Sequence, residues 1–376
     1  MTFPRTRLSS ISLTNFRNYA SASVQFDGSL NLILGRNGQG KTNLAEAIYY
    51  LLRRKSPRTS SAQELISLDK DFFFIKGALF AETGEYSLEA GCARSGDKTY
   101  KVNGKKAGPG RVRAAGLRAS YISLEDTGII TGSPSARREF FDDILVQRSD
   151  EYAYNLSQYE KALARRNLSL KMTRQGKRGY DPGLWDSPCA KYGSRVMAAR
   201  EALCAEMGPL LSEYITVFSK GASLGISYEP SIAAPADPGA RGENILENIF
   251  LKYLQDNKEN DIIRGLTEAG PHRDDMAFLY NGKDARKFAS QGETRMVVLC
   301  LKSSEITLLG GFAGAGPVII MDDFMLELDA PNKRRFLEFV RGRGQLFICG
   351  VDETAVGFKA FEEGKKFLIE NAEITI

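Results

Sequence analysis

The residues that could do chemistry begin at position 35. Gly35, Arg36, Asn37, Gly38, Gln39, Gly40, Lys41 and Thr42 fit the spacing G-x-x-x-x-G-K-[ST], which cradles nucleotide phosphates when it joins a strand to a helix. Leu30, Leu32, Ile33 and Leu34 form an apolar run ahead of it, and Leu44, Ala45, Ala47, Ile48, Leu51 and Leu52 follow at helical spacing. Glycines at 35, 38 and 40 let successive N–H groups point inward at phosphate oxygens, and the helix N-terminus adds partial positive charge. Lys41 is expected to reach the β- and γ-phosphates and the Thr42 hydroxyl to ligate Mg²⁺, with Asn43 completing the nucleotide-binding set. A second group of residues ends the apolar segment Pro317 to Asp323, where two acids would stand at the C-terminal edge of a sheet beside the phosphate loop. Asp322 is expected to hold Mg²⁺ and Asp323 to polarise an attacking water, so Asp323 and Lys41 are the catalytic candidates.

Two shorter segments narrow the class. Phe288 to Arg295 opens a helix with Ser290, Gln291 and Gly292 at its start, where free N–H groups suit an anion. This segment resembles the signature sequence of ABC-type ATPases, and Glu327-Leu328-Asp329 resembles their D-loop. The resemblance implies that Ser290, Gln291, Gly292 and Asp329 meet ATP bound to a second copy, so that two nucleotides are sandwiched in a two-fold dimer. Read from its residues alone, Ser290 is also an ordinary helix N-cap.

These residues must be positioned by a chain of 376 residues, 43% of them hydrophobic, which suits one large domain and a smaller one. No apolar run approaches the ~20 residues of a membrane span, and the N-terminus has no apolar signal core, so a cytoplasmic location is expected. Five scattered cysteines without C-x-x-C spacing and one histidine, His272, argue against a zinc site or a disulfide framework. A net charge of +5 permits a polyanionic partner without requiring one.

Alternating apolar residues predict strands at Ile11 to Phe16, around Val24 and Phe26, and at Phe72 to Phe80, Tyr86 to Ala90, Tyr100 to Val102 and Tyr121 to Leu124, read as one mixed sheet backed by a helix. From about residue 134 the spacing becomes helical and continues through Leu163, and a second long helix spans Pro188 to Phe218. Ser227 to Asn244 reads as a loop, Ile245 to Leu254 as a helix, Met276 to Tyr280 as a strand and Gln291 to Leu309 as a helix. The expected fold is therefore α/β: an ABC-type P-loop ATPase head with a mixed sheet, residues 1–130 and 270–376, plus a short helical lid or arm inserted at 131–269.

The chain resembles the RecF family, recombination mediator ATPases of bacteria within the SMC-like branch of ABC ATPases. The likeness is carried by Ser12 to Tyr19, the phosphate loop with its helix, Arg58 to Ile66, Leu124 to Asp142, Tyr159 to Lys171, Gly270 to Phe278 (GPHRDDMAF), SQGETR and MDDFMLELD. It implies an ATP-dependent DNA clamp in recombinational repair, dimerising on ATP at gapped or single-strand/double-strand junction DNA to help load recombinase. Slow hydrolysis with Mg²⁺ would release the DNA, and RecR and RecO would be partners. Three departures stand out. Glu293 and Thr294 replace the amides usual in the signature, Cys349 and Gly350 stand where a threonine-rich stretch is expected, and SLED at Ser123 to Asp126 replaces SPED. Arg17, Asn18 and Tyr19 are candidates for the base pocket, and Tyr19 is equally a candidate core residue.

Sequence-independent DNA contact would use basic clusters that neutralise phosphates. Three are present, each equally readable as a solvated face: Arg53, Arg54, Lys55 and Arg58; Lys101, Lys105, Lys106, Arg111 and Arg113; and Arg165, Arg166, Lys171 and Arg174. The alternatives are an ABC-type ATPase coupled to transport or to a nuclease. The nuclease would need more acids than the otherwise unassigned pair Asp274 and Asp275.

Overall fold

The computed structural model describes residues 6–81, 84–108, 118–232, 243–310, 316–352 and 364–376. It divides into two compact units, Met1–Asp126 with Val298–Ile376, and Thr127–Val297. The second division falls well beyond residue 270, so the segment carrying Ser290 goes with the inserted unit.

The first unit contains two sheets. One runs in the order β15-β14-β3-β13-β12-β8, built from β3 (Leu30–Leu34), β8 (Ala119–Ser123), β12 (Val318–Asp322), β13 (Gln345–Gly350), β14 (Lys365–Glu370) and β15 (Glu373–Thr375). The first five are parallel to their neighbours and β15 closes the edge antiparallel, which makes this the mixed sheet expected from sequence. Every residue of β3, β8, β12 and β13 is buried, the pattern of strands covered on both faces. The other sheet is antiparallel, in the order β2-β1-β4-β5-β6-β7, from β1 (Arg7–Phe16), β2 (Tyr19–Gln25), β4 (Phe72–Ala81), β5 (Gly84–Ala93), β6 (Lys98–Val102) and β7 (Lys105–Lys106). The N-terminal strands therefore do not share a single sheet, as periodicity had suggested. Those joined by tight hairpins pair antiparallel, whereas parallel pairing requires a crossover.

Helix α1 (Lys41–Arg53) packs against strands of both sheets, and from Leu44 to Leu52 every side chain is buried. Arg54 ends it in the left-handed conformation, its guanidinium 4.8 Å from the centre of the Tyr100 ring.

The second unit is mostly helical: α2 (Pro134–Arg148), α3 (Asp150–Arg174), α4 (Asp186–Phe218), α5 (Glu243–Asp256), α6 (Lys258–Arg264) and the start of α7 (Gln291–Gly310). The continuous helical pattern from residue 134 is broken at Ser149, whose hydroxyl accepts the Tyr152 N–H at 3.0 Å and caps α3. Part of the expected loop at Ser227 is instead β9 (Leu224–Glu229), which pairs with β10 (Asp275–Tyr280); β11 (Lys283–Asp284) completes a small antiparallel sheet. Alternating burial of Leu224 and its partners on β10 supplies the physical reason.

This unit is held by buried ion pairs. Arg166 is wholly buried, donating to Asp186 at 2.7 Å, Asp261 at 2.6 Å and the Thr267 hydroxyl at 2.8 Å, so it is withdrawn from the DNA-contact cluster assigned from sequence. Arg137 forks onto Asp275 at 2.6 and 3.0 Å, and Asp274 accepts from Tyr228 and from the Ser231 N–H and hydroxyl. The two acids that a nuclease reading would have recruited are thus engaged in packing strand β10.

His272 belongs to the same network. Its Nδ1 meets the Tyr159 hydroxyl at 2.6 Å and its Nε2 the Thr267 carbonyl at 2.9 Å, which requires the Nε2–H tautomer with Nδ1 accepting. Burial drives the imidazole pKa down to about 4 from its ordinary 6.5. The unfolded chain therefore binds more protons between those values, and the contribution of neutral His272 to stability declines as pH falls from about 6.5 towards 4. The expected result is a melting temperature that drops through this window more steeply in wild type than in His272→Gln. Equal pH slopes by calorimetry would refute it.

Candidate nucleotide site

The phosphate loop, α1 and the ends of β12 and β13 all belong to the first unit. Gly35 and Gly40 have φ of 149° and 121°. A Cβ at Gly35 would lie 2.4 Å from the Ile369 carbonyl oxygen, and one at Gly40 would lie 2.9 Å from the Tyr19 hydroxyl, so the loop has room for neither side chain. Lys41 is buried, its Nζ donating to the carbonyls of Gly35 at 2.8 Å and Arg36 at 3.0 Å, so the ammonium lies folded within the loop. Arg36, Asn37 and Gly38 are exposed. Gln39 is gripped by the β14–β15 turn: its side-chain oxygen accepts the Asn371 N–H at 2.6 Å and its carbonyl the Ala372 N–H at 3.0 Å. That hairpin was missed in the sequence: Phe367 and Ile369 are buried, but the exposed residue between them, Leu368, is apolar and hides the alternation ahead of the Asn-Ala turn.

Of the two readings of Tyr19, the structure favours the core: it is fully buried and its hydroxyl donates to the Gly40 carbonyl at 3.1 Å. Asn18 accepts from Asn43 at 2.8 Å, and Arg58 donates to the Asn43 side-chain oxygen at 3.1 Å. Arg17 forks onto Glu46 at 2.8 Å through both contacts, and the same fully buried carboxylate receives Ser56 at 2.5 Å. Arg17 and Arg58 are therefore tied to α1 by a buried acid.

Across the loop, the Thr42 hydroxyl donates to Asp322 Oδ1 at 3.0 Å. Burial pushes the Asp322 carboxyl above the usual range, with Asp323 and Glu125 adding to the effect and hydrogen bonds from Tyr121 and Thr42 opposing it. A hydroxyl and a carboxylate whose charge is costly to bury make an all-oxygen donor set of the kind Mg²⁺ takes, so the residues present fit that ion. Asp323 follows with φ 53°, a left-handed conformation, and its Oδ1 is buried with no hydrogen-bond partner among the described residues. Strained backbone and an unsatisfied buried acceptor are both costly, and both are recurrent at reactive centres. Cys349 lies opposite Asp322 in the β12–β13 pairing, with its Sγ 3.9 Å from the Lys41 carbonyl.

Asp329 accepts the Asn332 N–H at 2.8 Å and caps α8 (Ala330–Val340).

In the second unit Ser290 is exposed and stands at the N-cap of α7. Its N–H donates to Glu293 at 2.7 Å and its hydroxyl accepts the Glu293 N–H at 3.3 Å, a reciprocal capping box. The departure at Glu293 thus has a structural use. Those hydrogen bonds hold its carboxyl below its usual range, so it is anionic at neutral pH. Gln291 and Gly292 are exposed in the same turn.

Of the basic clusters, Lys105, Lys106, Arg165, Lys171 and Arg174 are exposed, Arg165 with its guanidinium 5.7 Å from the Trp185 ring centre. Lys101 is 3.7 Å from Glu89, and Arg111 and Arg113 lie outside the described residues.

A parallel sheet with a phosphate loop after one strand, an Asp-Asp pair ending another, and a signature-like helix start defines an ABC-type P-loop ATPase head. The family described as RecF/RecN/SMC N terminal domain matches residues 7–359. The DNA replication and repair protein RecF of Natranaerobius thermophilus is 35% identical over 98% of this chain and 97% of its own, and that of Bacillus thuringiensis 32% over 98% of each. The solved structure of the recombination mediator protein RecF with ATP in the RecFOR pathway superposes with TM-score 0.88 at 31% identity, covering 100% of this chain and 98% of that one. The chain belongs to the RecF/RecN/SMC family and, within it, to the RecF proteins of DNA replication and repair. The Smc head domain of Pyrococcus furiosus, at TM-score 0.56 and 16% identity over 98% of this chain and 95% of that one, shares the fold. Among the described residues no helix is long and apolar enough to cross a membrane.

Proposed function

We propose that this protein is a Mg²⁺- and ATP-dependent DNA clamp of recombinational repair, acting in the cytoplasm with weak ATPase activity. The observation that carries the reading is the contact of Thr42 in the phosphate loop with Asp322 at the end of β12, in a chain alike over its full length to an ATP-bound RecF. The loop amides would bind the phosphates, joined by Lys41 once its Nζ leaves the Gly35 and Arg36 carbonyls; Thr42 and Asp322 would hold Mg²⁺, which would supply charge neutralisation, and Asp323 would orient and deprotonate the attacking water. Ser290, Gln291, Gly292 and Asp329 complete the site of a second copy, so ATP binds the dimer better than the monomer and shifts the population towards it.

DNA is gripped through phosphates at gapped or junction sites, and RecR and RecO are partners by family likeness. Titration of a fluorescent gapped duplex tests this directly. ATP should tighten binding about tenfold or more over ADP, with a steep loss in salt. Equal affinity in ATP, in ADP and without nucleotide would remove the clamp reading.

Glu293 sets a brake in this scheme. Its half-buried carboxylate lies in the first turn after Ser290, which in this reading faces the partner's γ-phosphate, and like charges would repel across that gap. Glu293→Gln keeps a capping side chain and removes the charge. Its ATP-dependent dimer should be about tenfold tighter at low salt, with the difference shrinking as ionic strength rises, as sedimentation velocity would show. A dimer no tighter than wild type would place the carboxylate away from the phosphates.

A further inference from the structure

Asp322 is held from two sides. Oδ1 accepts the Thr42 hydroxyl at 3.0 Å, and Oδ2 accepts the Tyr121 hydroxyl at 2.8 Å. Thr42 belongs to the phosphate loop, but Tyr121 comes from β8, where pairing with β12 sets Tyr121 opposite Ile320 and Ser123 opposite Asp322. The tyrosine is itself immobilised. It is 6% exposed, and the Tyr49 ring meets it edge-on with centroids 5.4 Å apart. Its carbonyl accepts Lys302 Nζ at 2.9 Å, and that buried ammonium pairs with Asp126 at 2.9 Å and Glu305 at 3.2 Å. Asp126 in turn accepts the Ser123 N–H at 2.7 Å, so the end of β8 is clamped on both sides of the tyrosine.

A carboxylate with one unengaged oxygen can turn about its terminal torsion, and a cation that needs one orientation must freeze that rotation. A hydrogen bond from a rigid neighbour removes the freedom beforehand, the work that outer-shell partners do at metal sites. We propose that Tyr121 is a positioning residue for the divalent cation of the ATP site, holding Asp322 so that Oδ1 faces Thr42 before the cation arrives. The inference rests on the reading of Thr42 and Asp322 as a Mg²⁺ site.

Tyr121→Phe deletes the hydroxyl and keeps the ring. ATP affinity is measured by calorimetry in EDTA and across a Mg²⁺ series, for wild type, Tyr121→Phe, Asp322→Asn and the double variant. In EDTA the Tyr121→Phe affinity should stay within about twofold of wild type, while the Mg²⁺ concentration giving half of the cation-dependent gain rises about tenfold. In the Asp322→Asn background the same change should shift that midpoint by less than about twofold, because the group it acts through is gone. A general packing defect would instead lower the affinity in EDTA and leave the Mg²⁺ midpoint in place. An unshifted midpoint in Tyr121→Phe, or a full shift that persists beside Asp322→Asn, overturns the inference and leaves the nucleotide site standing. A wild type whose ATP affinity ignores Mg²⁺ overturns both.

Discussion

Ser290→Arg is expected to abolish the ATP-dependent dimer while each protomer still binds ATP. Ser290 is exposed, and its side chain makes one long hydrogen bond, 3.3 Å, to the Glu293 N–H. The other half of the capping box uses the Ser290 main chain, which any residue retains. Losing the hydroxyl therefore costs about 1 kcal/mol of helix stability, too little to unfold the unit. The phosphate loop belongs to the first unit and Ser290 to the second, so ATP affinity should stay within about threefold of wild type. Association should weaken by about 100-fold, because a long side chain would fill the space the partner's nucleotide needs at the centre of the interface. Sedimentation velocity with ADP, with ATP and without nucleotide, each with and without a gapped duplex, reads both effects. If the variant dimerises like wild type, or if wild type dimerises whatever nucleotide is present, Ser290 has no role in trans.

Asp323→Asn should separate binding from hydrolysis. Asparagine tolerates the left-handed conformation that residue 323 adopts, and the substitution preserves shape, so the turn after β12 should fold unchanged. What disappears is a carboxylate whose Oδ1 is buried without a hydrogen-bond partner among the described residues. Removing a general base costs about 10²- to 10⁴-fold in rate. Single-turnover hydrolysis should fall by that order while ATP affinity and the ATP-dependent dimer persist, and the dimer should live longer on DNA because its release step is blocked. Hydrolysis within a few-fold of wild type would assign the water to another group. Loss of ATP binding would mean that Asp323 holds the nucleotide and does not activate water.

The two variants touch residues of different legibility. The phosphate loop could be read directly because its chemistry is local: glycines, a lysine and a hydroxyl within eight positions, flanked by a buried strand and a helix. The same holds for the acids ending β12 and for the helix opening after Ser290; the capping box closed by Glu293 emerged only from the structure, although its S-x-x-E spacing covers just four residues. Family likeness extended this to the whole chain. Periodicity also marked most strands and helices, since a face that must be buried leaves its period in the sequence.

Periodicity does not say what covers that face, and here the tertiary structure decided. Whether β1 and β4 join the sheet of β3 or form their own depends on connections and partners that alternation does not encode. Arg166 looked like any basic residue on a helix until Asp186, Asp261 and Thr267 closed around it from three other segments. Tyr19 and Tyr121 bear on the site only through hydrogen bonds to Gly40 and Asp322, the second across 201 positions. The left-handed backbone at Asp323 and its buried Oδ1, without a hydrogen-bond partner among the described residues, leave no mark in the sequence. Short-range chemistry made the nucleotide-site candidate legible, because the spacing of a phosphate loop lies within eight residues. The orientation of each candidate and supporting group was left to packing, because the partners that fix a buried polar side chain come from segments that meet only when the chain folds.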